Sequence, residues 1–285
     1  MKFTAALEAT GLRLDPATAR PVGGGCIHAA WRVDGPDGPL FLKTHAATGA
    51  WMLAAEADGL AALAAAGCLR VPEVRGQGVT GDAAWLALEW LELRAPSESA
   101  DAALGAALAR QHLAGGPHFG WHSDNALGAT LQPNTPNANW SEFFAAHRLG
   151  WQLELGARNG FPRRLLAAGE RLRDGLPALL ASRQVEPALL HGDLWSGNRA
   201  ADPAGRPVVF DPAVHYGDPE CDLAMALLFG GFSPAFFAAY DAVLAPAPGR
   251  TERLRLYQLY HVLNHANLFG SGYLRQAQAL IDALT

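Results

Sequence analysis

The stretch His191-Gly192-Asp193-Leu194-Trp195-Ser196-Gly197-Asn198 sets a carboxylate and a carboxamide five residues apart, and Asp211 follows thirteen residues later in Phe210-Asp211-Pro212. Two carboxylates and an amide oxygen in this order suit a reaction that needs positioning and charge neutralisation more than covalent help. Transfer of the γ-phosphoryl group of ATP to a hydroxyl is such a reaction. Asp193 is placed to accept the proton of the attacking hydroxyl. Asn198 and Asp211 offer the oxygen ligands that a hard magnesium ion prefers, with waters completing its shell. The Asp-x4-Asn spacing matches the catalytic loop of kinases, and Asp211 takes the place of the metal-binding Asp beyond it. Either half alone reads better as a surface loop in which Asp and Asn cap turns; both halves joined by a short hairpin do not.

Such a centre needs a second element to hold the nucleotide, and the first ninety residues supply candidates. Ile27–Val33 and Leu40–Thr44 read as strands around the turn-rich run 34–39. Thr48 to Ala66 is Ala- and Leu-rich without proline and stops at Gly67, which predicts a helix. Strands resume at Val74–Val79 and Ala84–Leu88. Gly23, Gly24 and Gly25 let backbone N–H groups approach phosphates. Lys43, in mid-strand, and Glu56, in the following helix, are expected to pair and to fix the amine on the phosphates. Glu89, Trp90 and Leu91 fall where a hinge would offer backbone groups to adenine.

Beyond Glu92 the character changes. Segments 97–114, 140–157, 161–181, 222–245 and 250–284 favour helix, interrupted by strand-like Ala188–Leu190 and Val208–Phe210. The loop Gly115–Asn139 is long enough to suggest a functional role. The expected fold is α+β: a two-lobed, protein-kinase-like arrangement, with residues 1–92 as a nucleotide-binding sheet lobe. Residues 93–285 form a mostly helical lobe for catalysis, metal and substrate.

Composition narrows the class. Half of the 285 residues are apolar, 17% are charged and the net charge is −5. This describes a globular chain with a full core and no basic stripe for nucleic acid. Cys26, Cys68 and Cys221 are scattered and odd in number, which fits a reducing cytosol. The first residues, Met1 to Glu8, read as an amphipathic helix, and no run approaches the ~18 uncharged residues of a membrane span. A cytoplasmic monomer or weak dimer is expected.

These residues together resemble the fructosamine/ketosamine 3-kinases, relatives of aminoglycoside and choline kinases. The resemblance runs through Gly23-Gly24-Gly25-Cys26-Ile27, Phe119-Gly120-Trp121, Gln132-Pro133-Asn134, Trp140-x-x-Phe143-Phe144 and Arg148-Leu149. It continues through the 191–198 loop, Asp211-Pro212-Ala213, Tyr216-Gly217-Asp218-Pro219-Glu220, Asp222-Leu223-Ala224-Met225 and Leu263-Asn264-His265-x-Asn267-x-Phe269-Gly270. Trp195 discriminates, because the aminoglycoside and choline relatives usually carry His there. The resemblance implies ATP, Mg²⁺ and phosphorylation of a ketosamine, free or protein-bound, at its 3-hydroxyl. The resulting 3-phosphate is unstable and leaves the amine, so the implied role is deglycation repair. The alternatives are a small-molecule hydroxyl kinase of the aminoglycoside or choline type and a non-catalytic nucleotide-binding module.

Trp195 offers a flat apolar face to sugar C–H groups, and Asn264 and His265 are candidates to line the sugar pocket. His191 is expected to brace the loop, and Asp222, by family analogy, to accept its backbone N–H bonds. Asp218 and Glu220 read either as supporting charges or as a solvated acidic turn. The pair His261 and His265 lacks a third ligand for zinc and reads as a polar helix face.

Overall fold

The computed structural model of the chain describes residues 11–23, 27–181 and 183–285. The helix expected over Met1 to Glu8, and Gly24, Gly25 and Cys26, lie outside the described residues.

The sheet has five antiparallel strands: β1 (Asp15–Val22), β2 (Ala29–Gly35), β3 (Gly38–Ala46), β4 (Val74–Thr80) and β5 (Ala83–Glu89), in the order β1-β2-β3-β5-β4. The four strands expected from sequence are present, and β1 is an addition. Its Pro16 and Pro21 cannot donate to a ladder, which suits the edge position it occupies. Strand alternation makes both faces of the sheet useful. Leu42, Trp85, Ala87 and Val33 form one small buried cluster, while Leu86, Leu88 and Ala84 join the larger core on the other face. Lys43, one residue from Leu42, points to the same side as Leu86, its cross-strand partner.

Helix α1 (Ala50–Ala66) covers that side and ends at Gly67, which adopts a left-handed φ of 71°. Leu53, Ala57, Leu60 and Leu63 recur at helical spacing on its buried face, and Glu56 occupies the same stripe. Gly59 lets the helix lie close to the segment after Asp211: a Cβ there would sit 3.1 Å from Val214 and 3.2 Å from Pro212.

The rest is mostly helical, with α2 (Glu98–Leu113) capped by the Ser97 side chain. The segment expected as one helix over 140–157 is Trp140–Phe144, a π turn over Ala145–Gly150 and Trp151–Arg158. Arg163–Leu179 follows. The expected helix 222–245 divides into Glu220–Leu228 and Pro234–Val243, because Gly230 and Gly231 take left-handed φ values between them. The last segment divides likewise at Gly270, into Arg250–Phe269 and Leu274–Asp282. Among the described residues no helix is long and apolar enough to cross a membrane.

Three small ladders interrupt the helices. Asn125–Leu127 pairs with Thr130–Gln132 inside the long 115–139 loop. Ala188–Leu190 pairs with His215–Gly217, and Arg199–Ala201 pairs with Pro207–Val209. The last two enclose the loop 191–198 on one side and Asp211 on the other.

Candidate active site

The loop 191–198 is fixed before it can do chemistry. The Ala213 N–H donates to His191 O at 2.8 Å, and the Phe210 N–H donates to Asn198 O at 3.1 Å. Gly192 has φ 83°, and a Cβ there would collide with Ala213 O. Asp222, almost wholly buried, accepts the N–H groups of His191 and Gly192, each at 2.8 Å. His112 meets the same carboxylate at 3.1 Å, and its other ring nitrogen meets the Tyr240 hydroxyl at 2.8 Å. Burial opposes ionisation of Asp222, but His112, His191 and the Gly192 N–H outweigh it and hold its pKa below the usual carboxylate value. His191 also bridges to Phe210 O at 3.1 Å. Asp222→Ala would orphan two buried N–H groups, each costing ~1–3 kcal/mol. We expect a lower Tm together with a lower kcat, measured by thermal melting and ATP turnover. A variant with wild-type Tm and kcat would show that the loop needs no such anchor.

Asp193, Asn198 and Asp211 come together as their spacing predicts. The Asn198 amide Nδ2 donates to Asp193 O at 2.8 Å and to the Asp193 carboxylate at 3.1 Å, and lies 3.4 Å from Asp211 O. Asp211 has φ 56°, the one left-handed non-glycine among the described residues. A side chain held there against its backbone preference is a mark of functional geometry. Lys43 Nζ reaches Glu56 at 2.7 Å and Asp211 at 2.5 Å, so it spans the two parts of the site.

Charge follows from this geometry. Burial, and then the Asp211 charge, push Asp193 up to about 7, against the opposing bond from Asn198. Burial disfavours a charged Lys43, but Glu56 and Asp211 outweigh it and raise its pKa, so the amine keeps its proton. Lys43 in turn holds Asp211 below its ordinary value despite desolvation. The site thus pairs a carboxyl titrating near neutrality with a second that stays ionised beside a fixed cation. Such separation of two acids is the arrangement that proton transfer uses.

A cavity of about 230 Å³ joins Lys43, Glu56, Asp193, Asn198 and Asp211 to Trp195, Asn264 and His265. Trp195 is 38% exposed, its ring lying over Gly197 and 6.5 Å from Phe229. Asn264 lines the cavity with its amide already engaged, accepting from Gln152 at 3.2 Å and donating to Leu127 O at 3.3 Å. His265 contacts His261 O at 2.8 Å and packs, with its ring tilted, among Phe229, Phe269 and Tyr273.

Glu89, Trp90 and Leu91 do not line this cavity. Leu40 pairs with Glu89 and Lys43 with Leu86, so the end of β5 lies roughly 10 Å along the strands from Lys43. The Glu89 carboxylate is held by Arg70 at 2.6 and 2.7 Å, and the Trp90 indole donates to Glu92 at 2.8 Å. Gly23 follows β1, exposed to solvent.

Of the two readings of Asp218 and Glu220 the solvated turn falls: both are buried supporting charges, on Arg183 at 2.8 Å and on Arg253 at 2.7 Å. His261 is buried and no part of an exposed polar face; burial and His265 lower its pKa to about 3. His28, Ala126–Gly128 and Met225 also line the cavity. His112 was missed for want of a local signal, its partner lying 110 residues away.

Comparison with known proteins agrees with this geometry. The family model described as fructosamine kinase matches residues 3–285. A "Probable ketoamine kinase slr1563" from Synechocystis is 43% identical over 277 residues, 96% of this chain and 92% of that one. A chloroplastic protein-ribulosamine 3-kinase from Oryza sativa subsp. indica is 39% identical, covering 92% of this chain and 77% of its own. A crystal structure of a "putative fructosamine-3-kinase" from Thermobifida fusca superposes with a TM-score of 0.88 at 34% identity, covering 100% and 99% of the two chains. The aminoglycoside phosphotransferase APH(4)-Ia shares the fold at 17% identity, with a TM-score of 0.67 over 99% and 97%. The match extends from the sheet through the last helix and includes the loop that gathers the acids, so this kinase, two-lobed and protein-kinase-like, belongs to the fructosamine kinase family.

Proposed function

We propose that the chain transfers the γ-phosphoryl group of ATP to the 3-hydroxyl of a ketosamine, a step that leads to loss of the sugar from the amine and so to deglycation. The convergence of Asp193, Asn198 and Asp211 opposite the Lys43–Glu56 pair carries this reading. Asp193 takes the proton of the attacking hydroxyl; a carboxyl that titrates near 7 accepts a proton well at neutral pH and gives it up again. Lys43, oriented by Glu56, meets the phosphates, for which Asp211 is a stand-in as its present partner. The nucleotide lies along the sheet from Lys43 towards Glu89–Leu91.

The donor set fits magnesium. Asp211 and Asn198 offer one carboxylate and one amide oxygen, a sparse hard-oxygen set of the kind that leaves room for waters and phosphate oxygens. When bound there, the ion neutralises charge on the transferred group. Cys68 and Cys221 carry free thiols, which suits a reducing cytosol.

Trp195, at the acceptor end, is the sugar platform. Trp195→Ala should raise ketosamine KM roughly ten-fold, the worth of one aromatic contact, and leave ATP KM nearly unchanged. If both KM values rise together with a fall in Tm, the ring is scaffold only. The functional reading itself is tested by ADP release with ketosamines of different sugar length beside an aminoglycoside and choline. Turnover confined to ketosamines is expected, and preference for either other acceptor would replace the reading.

A further inference from the structure

The catalytic cavity has two chemically different ends. Among the described residues lining it, the charged side chains are Lys43, Glu56, Asp193 and Asp211. They form one hydrogen-bonded group with Asn198, and phosphoryl transfer uses all of them. The other end is aromatic and carries no Lys, Arg, Asp or Glu: Trp195, His265, Leu268 and Phe269 line it, and Phe229 borders Trp195.

The family chemistry does not account for all of these rings. Phe229 is 40% exposed and Phe269 is 58% exposed, although each follows or ends a well-packed helix. His265 joins them, with ring centroids 4.9 Å from Phe229 and 5.6 Å from Phe269. Its Nδ1 is engaged by His261 O, and burial holds its pKa below the ordinary value, so at neutral pH the rim has no fixed charge there. The result is an aromatic, uncharged surface continuous with the reaction cavity and open to solvent.

We propose that Phe229 and Phe269, with His265 between them, form a subsite for the group carried on the substrate's amine nitrogen, and that they favour an aliphatic stem there. The inference rests on the ketosamine reading above. With the sugar over Trp195 and its hydroxyl at Asp193, the rest of the molecule leaves through the aromatic end. The amine nitrogen, common to every conjugate, then lies between the sugar and these rings. The stem beyond it covers Phe229 and Phe269 and withdraws apolar surface from water on both sides. A short or strongly charged group on the nitrogen gains nothing from these rings.

The test uses ketosamines made from one sugar with methylamine, butylamine and hexylamine. ADP release is followed with the wild type and with the double variant Phe229→Ala, Phe269→Ala. In the wild type KM should fall about ten-fold from the methyl to the hexyl conjugate, as expected for burying a few methylenes, with kcat little changed. The double variant should lose that trend yet turn over the methyl conjugate as the wild type does, which also shows that it is folded. A wild-type KM indifferent to the stem, a trend retained in the variant, or an equal loss on all three conjugates would each overturn the subsite. A wild type that turns over none of the three would overturn the functional reading and the subsite with it.

Discussion

Asp193→Asn should lower kcat by roughly 10²–10⁴, the usual cost of losing a general base, while ATP still binds. The asparagine preserves shape and can still meet Asn198, so a large loss reports the missing proton acceptor. The wild type should show the matching pH signature. The acid form of Asp193 cannot accept a proton, and burial with the Asp211 charge puts its pKa at about 7. Wild-type kcat/KM should therefore be on its plateau above that pH and fall as the pH drops through it. In Asp193→Asn the residual rate should lose this limb. A variant with near-normal kcat, or one that keeps the acid limb, would remove Asp193 from the role of base.

Asp211→Ala should be nearly as damaging, through a different cause. In the proposed function the residue is the carboxylate of the metal site, and it is one of the two acids that surround Lys43. Loss of metal-borne charge stabilisation is worth several kcal/mol, so kcat/KM should fall by roughly 10²-fold or more. Asn198→Ala should cost less, because an amide offers a dipole where a carboxylate offers a charge. Calorimetric titration with Mg·ATP should rank affinity as wild type, then Asn198→Ala, then Asp211→Ala. Equal affinity in wild type and the Asp211 variant would refute the assignment.

The chemistry of the site was legible because most of it is local. Asp193 and Asn198 share one loop, and a single hairpin separates them from Asp211. Lys43 stood out as a charge in mid-strand, and Glu56 as an acid in the following helix within reach of a pair with it. What stayed hidden depends on distant partners. Asp218 and Glu220 read either way, as supporting charges or as a solvated turn, until Arg183 and Arg253, more than thirty residues away, close on them. His112 is an ordinary helix residue until Asp222 arrives from the far side of the chain.

The fold divides along the same line. The four strands and the helix with its glycine stop follow from period and turn residues. Strand β1 did not, since Asp15, Pro16, Arg20 and Pro21 read as loop and only an edge position tolerates them. The long helical segments were right in kind and wrong in extent at Gly230–Gly231 and Gly270, where left-handed glycines break them. The aromatic rim was half visible: Trp195 and His265 were legible, but only the fold brings Phe229 and Phe269 to the same mouth.

Phosphorus NMR of a reaction containing the full chain, Mg·ATP and a ketosamine follows phosphorus from ATP to oxygen 3 of the sugar most directly. One new phosphate-ester resonance coupled to the proton on carbon 3 is expected, growing in step with ADP and slowed roughly a hundred-fold or more with Asp193→Asn. ADP and inorganic phosphate appearing at once without any sugar ester, or an ester on a different carbon, would contradict it.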